Sequence, residues 1–475
     1  MSAAKKKTAA KESSLTHNEA SPALPPAFMA RMEELLGEEL PSYLAALAEP
    51  PVHGLRLNRI KADEKTLSQL PFALTPLPHV EGGCLIPEGE RAGLHPLHHA
   101  GAYYMQDPSA MAAVAALPFG IGGLRALDLC AAPGGKTSQL AEAVGEDGLL
   151  VSNEIVPSRA RVLLSNIERL GLRNTLVYSE EPRALAALFP SYFDLVLVDA
   201  PCSGEGMFRK YPAARTEWNE AAPEAAAARS RLILEEALSM LADGGHLLYS
   251  TCTFSEEENE KTVSHLLSRH RELSLVPLAP SVTSVTAEGL YREGRPRDIT
   301  LTRRFYPHLA KGEGQYIALL HKSGAGAGRT HAAPPSRGTA LTRSEEATVR
   351  RAMSELFADL PEGSLRRAGD TVLLAPREAP SLGRPLREGV ALFTVRGNLL
   401  LPHHHAVMAF GRLFRNRIDL PSDDPRVLSY LRGEELAVPH DMRGFFALLT
   451  DGVPLGLLKC SDGRAKNHYP KGLRI

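Results

Sequence analysis

The chain has 475 residues, 44% of them apolar, enough for two to four domains by the usual scaling of about 150 residues each. Lys and Arg number 54 against 55 Asp and Glu, so no global basic charge attracts nucleic acid and any such contact must come from a local cluster. The five cysteines are odd in number and include no C-x-x-C pair, which argues against a disulfide framework or a zinc finger, and no apolar run approaches the ~18 residues of a membrane span.

Residues 1–22 carry Lys without the apolar core of a secretory leader and are expected to form a disordered tail. Residues 23–98 hold a helical pattern, FMARMEELLGEELPSYLAAL, then GLRLNRIKA and turn-rich sequence, which suggests a small α/β module. Residues 99–322 alternate apolar runs with amphipathic stretches. The runs are RALDLC (125–130), LLVSNE (149–154), NTLVYS (174–179), FDLVLVDA (193–200) and HLLYST (246–251). Between them SRARVLLSNIERL places Val162, Ile167 and Leu170 near helical spacing. Near-continuous apolar strands separated by helices predict a parallel, doubly wound α/β sheet covered on both faces. Residues 323–341, rich in Gly, Ala, Pro and Ser, read as a linker. The remainder, 342–475, opens with a helix, SEEATVRRAMSELFADL, and continues in short strands such as TVLLAP and FFALLTDGVPLGLLKC. Its last seventeen residues set Lys459, Arg464, Lys466, Lys471 and Arg474 against Asp462 alone.

In an open parallel sheet, ligands sit beyond the carboxyl ends of the strands. After the first run comes Asp128-Leu-Cys-Ala-Ala-Pro-Gly-Gly-Lys136. A phosphate-cradling P-loop would need Gly where Cys130 stands, and G-x-G-x-x-G is absent. A glycine turn opening one helix suits a nucleoside with a short zwitterionic tail better than a polyphosphate. Glu154 ends the second run, where an acid accepts ribose hydroxyls. Ser179-Glu180-Glu181 ends the third, where an acid can meet an adenine amino group. Cys202 follows the fourth run and Cys252 the fifth; if those strands are neighbours, about 4.8 Å apart, the two thiols converge. Ser255 and Glu258 have the spacing of a capping box, which would place Cys252 near a helix N-terminus and favour its thiolate. A free cysteine is ordinarily a small buried hydrophobe, the expectation for Cys84 and Cys460 and the default for Cys130. His403, His404 and His405, three in a row on an expected strand, cannot all face one ion, so no metal is expected.

LDLCAAPGGKTSQLA (127–141), FDLVLVDAPCSGEGMF (193–208) and YSTCTFSEEENE (249–260) together resemble the Nol1/Nop2/Sun family of RNA cytosine-C5 methyltransferases. The resemblance extends to GLRLNRIKA, YYMQDPSAM and RRFYPHLAKGEGQYIALL, covering about residues 23–322. GVALFTVRGNLLLPHHHAVMAF and KCSDGRAKNHYPKGLRI are similar to the bacterial RsmF-like branch, which methylates small-subunit (16S) ribosomal RNA and ends in a PUA-like RNA-binding domain. The implied architecture is a Rossmann-like methyltransferase domain with a mostly parallel seven-stranded sheet, a small N-terminal α/β RNA-binding module, and a C-terminal PUA-like β-rich domain.

The resemblance implies S-adenosyl-L-methionine as cofactor, held by Cys130, Ala131, Ala132, Pro133, Gly134, Gly135 and Lys136, with Glu154 on the ribose, Glu181 (by alignment) on the adenine, and Asp199 between cofactor and base. Cytosine C5 is too weak a nucleophile to attack a sulfonium methyl unaided. Addition of a thiolate at C6 makes C5 an enamine carbon, dividing one hard step into two easier ones, with Asp199 neutralising charge at N3. Cys252 would be the nucleophile and Cys202 would help release the product. In DNA cytosine-C5 enzymes the Cys after the Pro attacks, which here would be Cys202; the second site, Thr-Cys252, favours the RNA assignment. Lys466, Lys471 and Arg474 are expected to touch RNA phosphates. The expected protein is thus a cytoplasmic RNA (cytosine-5-)-methyltransferase, monomeric, without membrane or metal, acting on ribosomal RNA either naked or in the small subunit.

Overall fold

Runs of Val and Leu with no polar alternation must be buried on both faces, and a parallel sheet between helices achieves this. The computed structural model, which describes residues 22–324, 339–377, 379–380 and 382–475, has such a sheet at its centre. The expected tail, apart from Pro22, and most of the expected linker lie outside those residues. Strands β1 (Arg125–Asp128), β2 (Leu149–Asn153), β3 (Thr175–Tyr178), β4 (Phe193–Asp199) and β5 (Leu241–Thr251) run parallel in the order β3-β2-β1-β4-β5. Strand β6 (Gln315–Lys322) adds to β5 antiparallel. Along β4, Val196 and Val198 enter one core and Leu195 and Leu197 the other, all with zero exposure. Each such side chain stabilises the fold by about 1.5–3 kcal/mol.

The Rossmann-like domain is therefore as expected, but its sheet has ten strands, because short antiparallel pieces extend both edges. One of them, Arg387–Glu388, comes from the C-terminal region and pairs with β3. Helix α1 (Gly135–Val144) follows β1 and helix α2 (Pro157–Leu170) follows β2. The buried face of α2 is Ala160, Leu163, Ile167 and Leu170; Val162, expected on that face, is 51% exposed because it falls one position off the 3.6-residue stripe. Gly171 ends α2 at φ 68°, and a Cβ there would lie 2.6 Å from the Met408 carbonyl oxygen, so both its turn and its neighbour require glycine.

The N-terminal segment forms helices Pro26–Leu36 and Leu40–Ala48 and a four-stranded antiparallel sheet, Thr75–Pro76, Gly83–Ile86, His53–Leu57 and Tyr103–Met105 in spatial order. The C-terminal region has helix Arg343–Leu356, capped by a Thr342–Glu345 box, and two five-stranded sheets. Its last sheet shares a core with the N-terminal one: Leu55, Leu57 and Tyr103 lie in the same buried cluster as Tyr430, Leu455 and Tyr469. Among the described residues no helix is long and apolar enough to cross a membrane.

The three histidines are not on a strand. Pro402 ends the strand Leu399–Pro402, and His403 caps helix His404–Phe410 by accepting the His405 N–H. Burial pushes His403 down to about 4 and His404 to about 3, and holds His405 well below the ordinary 6.5. The His405 ring has zero exposure, and its Nδ1 accepts the Ala391 N–H at 3.3 Å. On unfolding, this imidazole can take up a proton that the folded state refuses, so stability is lost as pH falls below 6.5, by at most about 1.4 kcal/mol per pH unit for this group. We expect the Tm to fall between about pH 7 and pH 5.5 and the fall to flatten in His405→Asn, whose carbonyl oxygen replaces Nδ1 as acceptor. A Tm–pH slope unaffected by the substitution would refute this.

Candidate active site

The carboxyl ends of β1, β2, β4 and β5 carry the polar residues that the apolar runs lead up to. From β1, Asp128 is buried and its Oδ2 accepts the Thr137 hydroxyl at 2.6 Å; burial raises its carboxyl to about 7, against the pull of that hydrogen bond. The loop Cys130–Gly134 then turns into α1. Gly134 has φ 114°, and a Cβ on Gly135 would lie 3.1 Å from the Tyr104 ring and 3.2 Å from the Gln106 amide, so the loop lies tightly against the N-terminal strand. Side chains of α2 fix the loop from outside: Arg159 donates to the Ala132 carbonyl and Asn166 to that of Pro133, each at 2.9 Å. Ala131 and Ala132 are buried, and the Cys130 thiol is pushed up by burial. Glu154, at the end of β2, is 2% exposed; its carboxylate accepts the Val156 N–H at 2.9 Å and lies 3.3 Å from Arg159.

Parallel pairing of β4 with β5 sets Asp199 beside Ser250, and both chains leave the sheet at the same level. Asp199 accepts the Ser250 hydroxyl at 2.6 Å and pairs with Lys136 of α1 at 2.9 Å. Burial alone would lower the Lys136 ammonium, but Asp199 outweighs it and the pKa is raised, with Cys252 among the further groups acting in that direction. Just past the two strands, three residues after Asp199 and two after Ser250, the thiols meet, with Cys202 Sγ 3.1 Å from Cys252 Sγ and accepting the Cys252 N–H at 3.3 Å. The hydrogen bond to Cys252, and burial after it, hold the Cys202 pKa well above the usual thiol range.

The capping box expected from Ser255 and Glu258 does not form. The helix (α3, Glu260–Arg269) starts later, and Glu258 reaches across to the other loop, accepting Ser203 N–H at 2.8 Å and Ser203 Oγ–H at 2.5 Å. The thiol therefore does not sit at a helix start; the Lys136 ammonium is a cation near enough to interact with it electrostatically. Asn259 accepts from Thr251 and donates to the Thr253 carbonyl, bracketing Cys252. Glu260 is paired with the buried Arg304, which also donates to the Phe254 carbonyl. Glu258, Asn259 and Glu260 have zero exposure. The sequence reading missed their roles, as well as those of Ser203 and Ser250. A run of acids resembles a solvated surface, and only the three-dimensional pairing shows otherwise.

The remaining expected site residues lie apart. Glu181 is an exposed residue at the start of a short helix, whereas Glu180 is half-buried and exchanges two backbone hydrogen bonds with the Asn153 side chain. Lys466, Lys471 and Arg474 are exposed on the last sheet and the turn after it. Lys466 pairs in register with Lys459, whose ammonium stands 5.5 Å from the Phe445 ring centroid. Among the described residues no group of three or more His, Cys, Asp or Glu is placed to hold a metal ion.

Three family models match the chain in order: N-terminal domain of 16S rRNA methyltransferase RsmF at residues 24–108, 16S rRNA methyltransferase RsmB/F at 123–321, and methyltransferase RsmF PUA domain at 416–475. Ribosomal RNA small subunit methyltransferase F of Erwinia tasmaniensis is 31% identical over 476 residues, spanning 94% of this chain and 96% of that protein. Its counterpart in Klebsiella pneumoniae is 33% identical over 482 residues, with the same 94% and 96% coverage. The chain belongs to the ribosomal RNA small subunit methyltransferase F family. It is therefore a methyltransferase, and its C-terminal sheet is a PUA domain. A solved methyltransferase homolog protein from Pyrococcus horikoshii matches 63% of this chain and 100% of its own, at 27% identity and TM-score 0.53. NSun6 from the same organism, solved with SFG, shares the fold at 22% identity and TM-score 0.55, over 63% of this chain and 99% of its own.

The raised Cys202 and Cys130 thiols set an order of reactivity in this methyltransferase, because the thiolate is the species that is alkylated. With limiting iodoacetamide, peptide mass spectrometry should find Cys252 labelled before Cys202 and Cys130. Labelling of Cys202 first would contradict the assigned hydrogen-bond pattern.

Proposed function

We propose that this methyltransferase modifies C5 of cytosine in RNA, with 16S ribosomal RNA as substrate, through a covalent bond between Cys252 and C6. The observation that carries the reading is the 3.1 Å approach of the Cys202 and Cys252 sulfurs beside the Lys136–Asp199 pair. The names of the RsmF-family relatives supply the substrate class.

The residues at the strand ends fit S-adenosyl-L-methionine. Gly134 and Gly135 open a helix start where a Cβ would crowd its neighbours, Glu154 holds a buried carboxylate one strand away, and Asp128 has a buried carboxyl oxygen with no hydrogen-bond partner. The loop Cys130–Lys136, Glu154 and Asp199 would hold the cofactor, with an acid at the end of β3 facing its adenine. Glu181 is the aligned residue there, although Glu180 is the more enclosed. The bound cofactor supplies an electrophilic methyl group.

The protein's own part is to make C5 able to accept it. Cys252 gives up its proton and forms the S–C6 bond, the C5–C6 electron pair becomes available at C5, and Asp199, paired with Lys136, is placed to carry a proton to N3. Release requires C5 to lose a proton, the double bond to re-form, and Cys252 to leave. Cys202, held protonated by its raised pKa, lies against the departing sulfur and is placed to give its proton to Cys252 as that sulfur leaves, after which the Cys202 thiolate can take the C5 proton. The exposed Lys466, Lys471 and Arg474 contribute phosphate contacts that orient the RNA. The target base must leave its stack to reach Cys252.

Cys202→Ala should slow turnover by about 10²–10⁴-fold and accumulate a protein–RNA adduct stable on a denaturing gel. Cys252→Ala should abolish both the adduct and methyl transfer. An adduct that survives loss of Cys252 would overturn the nucleophile assignment, and bisulfite sequencing of 16S RNA from a deletion strain would test the substrate.

A further inference from the structure

We propose that Glu258 is a positioning residue for product release, holding the Cys202 loop, through Ser203, against the Cys252 sulfur. The inference rests on the roles assigned above to the two cysteines. Both Glu258 oxygens are used on one residue of the neighbouring loop: Oε2 accepts the Ser203 N–H at 2.8 Å and Oε1 the Ser203 hydroxyl at 2.5 Å. The Ser203 hydroxyl also lies 2.9 Å from that of Thr253, the residue after Cys252. Glu258 itself is anchored by its own backbone, since its carbonyl accepts the Tyr249 hydroxyl of β5 at 2.6 Å. Glu258 thus ties Ser203, through its carboxylate, to the strand that leads to Cys252, through its carbonyl, and the Ser203 hydroxyl continues the link to Thr253.

Stability does not account for this arrangement. Glu258 has zero exposure, and among the described residues no Lys or Arg is paired with it, whereas Glu260, two residues on, is neutralised by Arg304. A buried carboxylate without a cation is costly to the fold. What it supplies is position: two hydrogen bonds in fixed directions on a loop that otherwise has a glycine at φ 72°, Gly204, immediately after Ser203. Cys252 is held in addition by Asn259, whose bonds to Thr251 and to the Thr253 carbonyl lie on either side of it and do not pass through the Cys202 loop. Loosening Glu258 therefore affects Cys202 more than Cys252.

The test compares adduct formation with adduct breakdown in the full-length enzyme, using a 16S RNA fragment and S-adenosylmethionine under single-turnover conditions. Glu258→Gln offers one acceptor where Ser203 presents two donors. It should shift the ratio of breakdown to formation toward the adduct by about tenfold or more, with Ser203→Ala shifting it less in the same direction. Added to Cys202→Ala, Glu258→Gln should change adduct yield less than about twofold, since Cys202 is then already absent. Equal slowing of formation and breakdown, or a further loss in the double variant, would refute the proposal. If Glu258→Gln does not fold by circular dichroism, Ser203→Ala carries the test alone, and an unchanged ratio there refutes it. If Cys202→Ala itself traps nothing, the reaction scheme fails; if it traps adduct and neither Glu258→Gln nor Ser203→Ala shifts the ratio, only the role of Glu258 fails.

Discussion

Strands β4 and β5 are hydrogen-bonded in parallel with Asp199 opposite Ser250, and the chain leaves the sheet at both points together. From that register, three residues of loop on one strand and two on the other suffice to bring two sulfurs into contact. A shift of one residue along β5 would turn Ser250 away from Asp199 and reverse the direction in which the Cys252 loop departs. The acid, the lysine paired with it, and both thiols thus depend on a single strand pairing buried between two apolar layers.

Around that pairing the protein has placed polar groups where bulk burial alone would favour apolar ones. Glu258, Asn259 and Glu260 lie six to eight residues after Cys252 and fold back toward it, each tying down a different part of the two loops. Their removal from water is compensated unequally. Glu260 has a buried arginine, and loss of one partner of such a pair typically costs about 3–5 kcal/mol. Glu258 has only hydrogen-bond donors, and burial lifts its carboxyl to about 7. The Lys136–Asp199 pair, by contrast, is partly open, with side-chain exposures of 11% and 34%.

The central sheet was legible because its strands are continuous runs of Leu and Val ending in chemically distinctive residues. Asp199, Cys202 and Cys252 could be placed at strand ends from that pattern alone, and the glycine loop from its position after the first run. The surroundings were less legible. Ser255 and Glu258 satisfy a local spacing rule, but the long-range donor Ser203 competes for the same carboxylate, and sequence spacing cannot rank the two. His403–His405 follow a strand and were read as part of it, although Pro402 stops the ladder and an imidazole starts a helix. Arg387–Glu388 joins the catalytic sheet from far along the chain, through a two-residue pairing that no local pattern announces.

Lys61, near the amino terminus, donates to the carbonyl of Pro454, 393 residues further on, and the neighbouring strands share one apolar cluster with the final sheet. During synthesis the first part of the chain emerges long before its packing partner exists. The apolar cluster that Leu55, Leu57 and Tyr103 share with Tyr430, Leu455 and Tyr469 stays incomplete until the ribosome has made that later segment. An early part of the chain is therefore among the last to be completed, and a chain released early leaves that cluster open to aggregation or to chaperones.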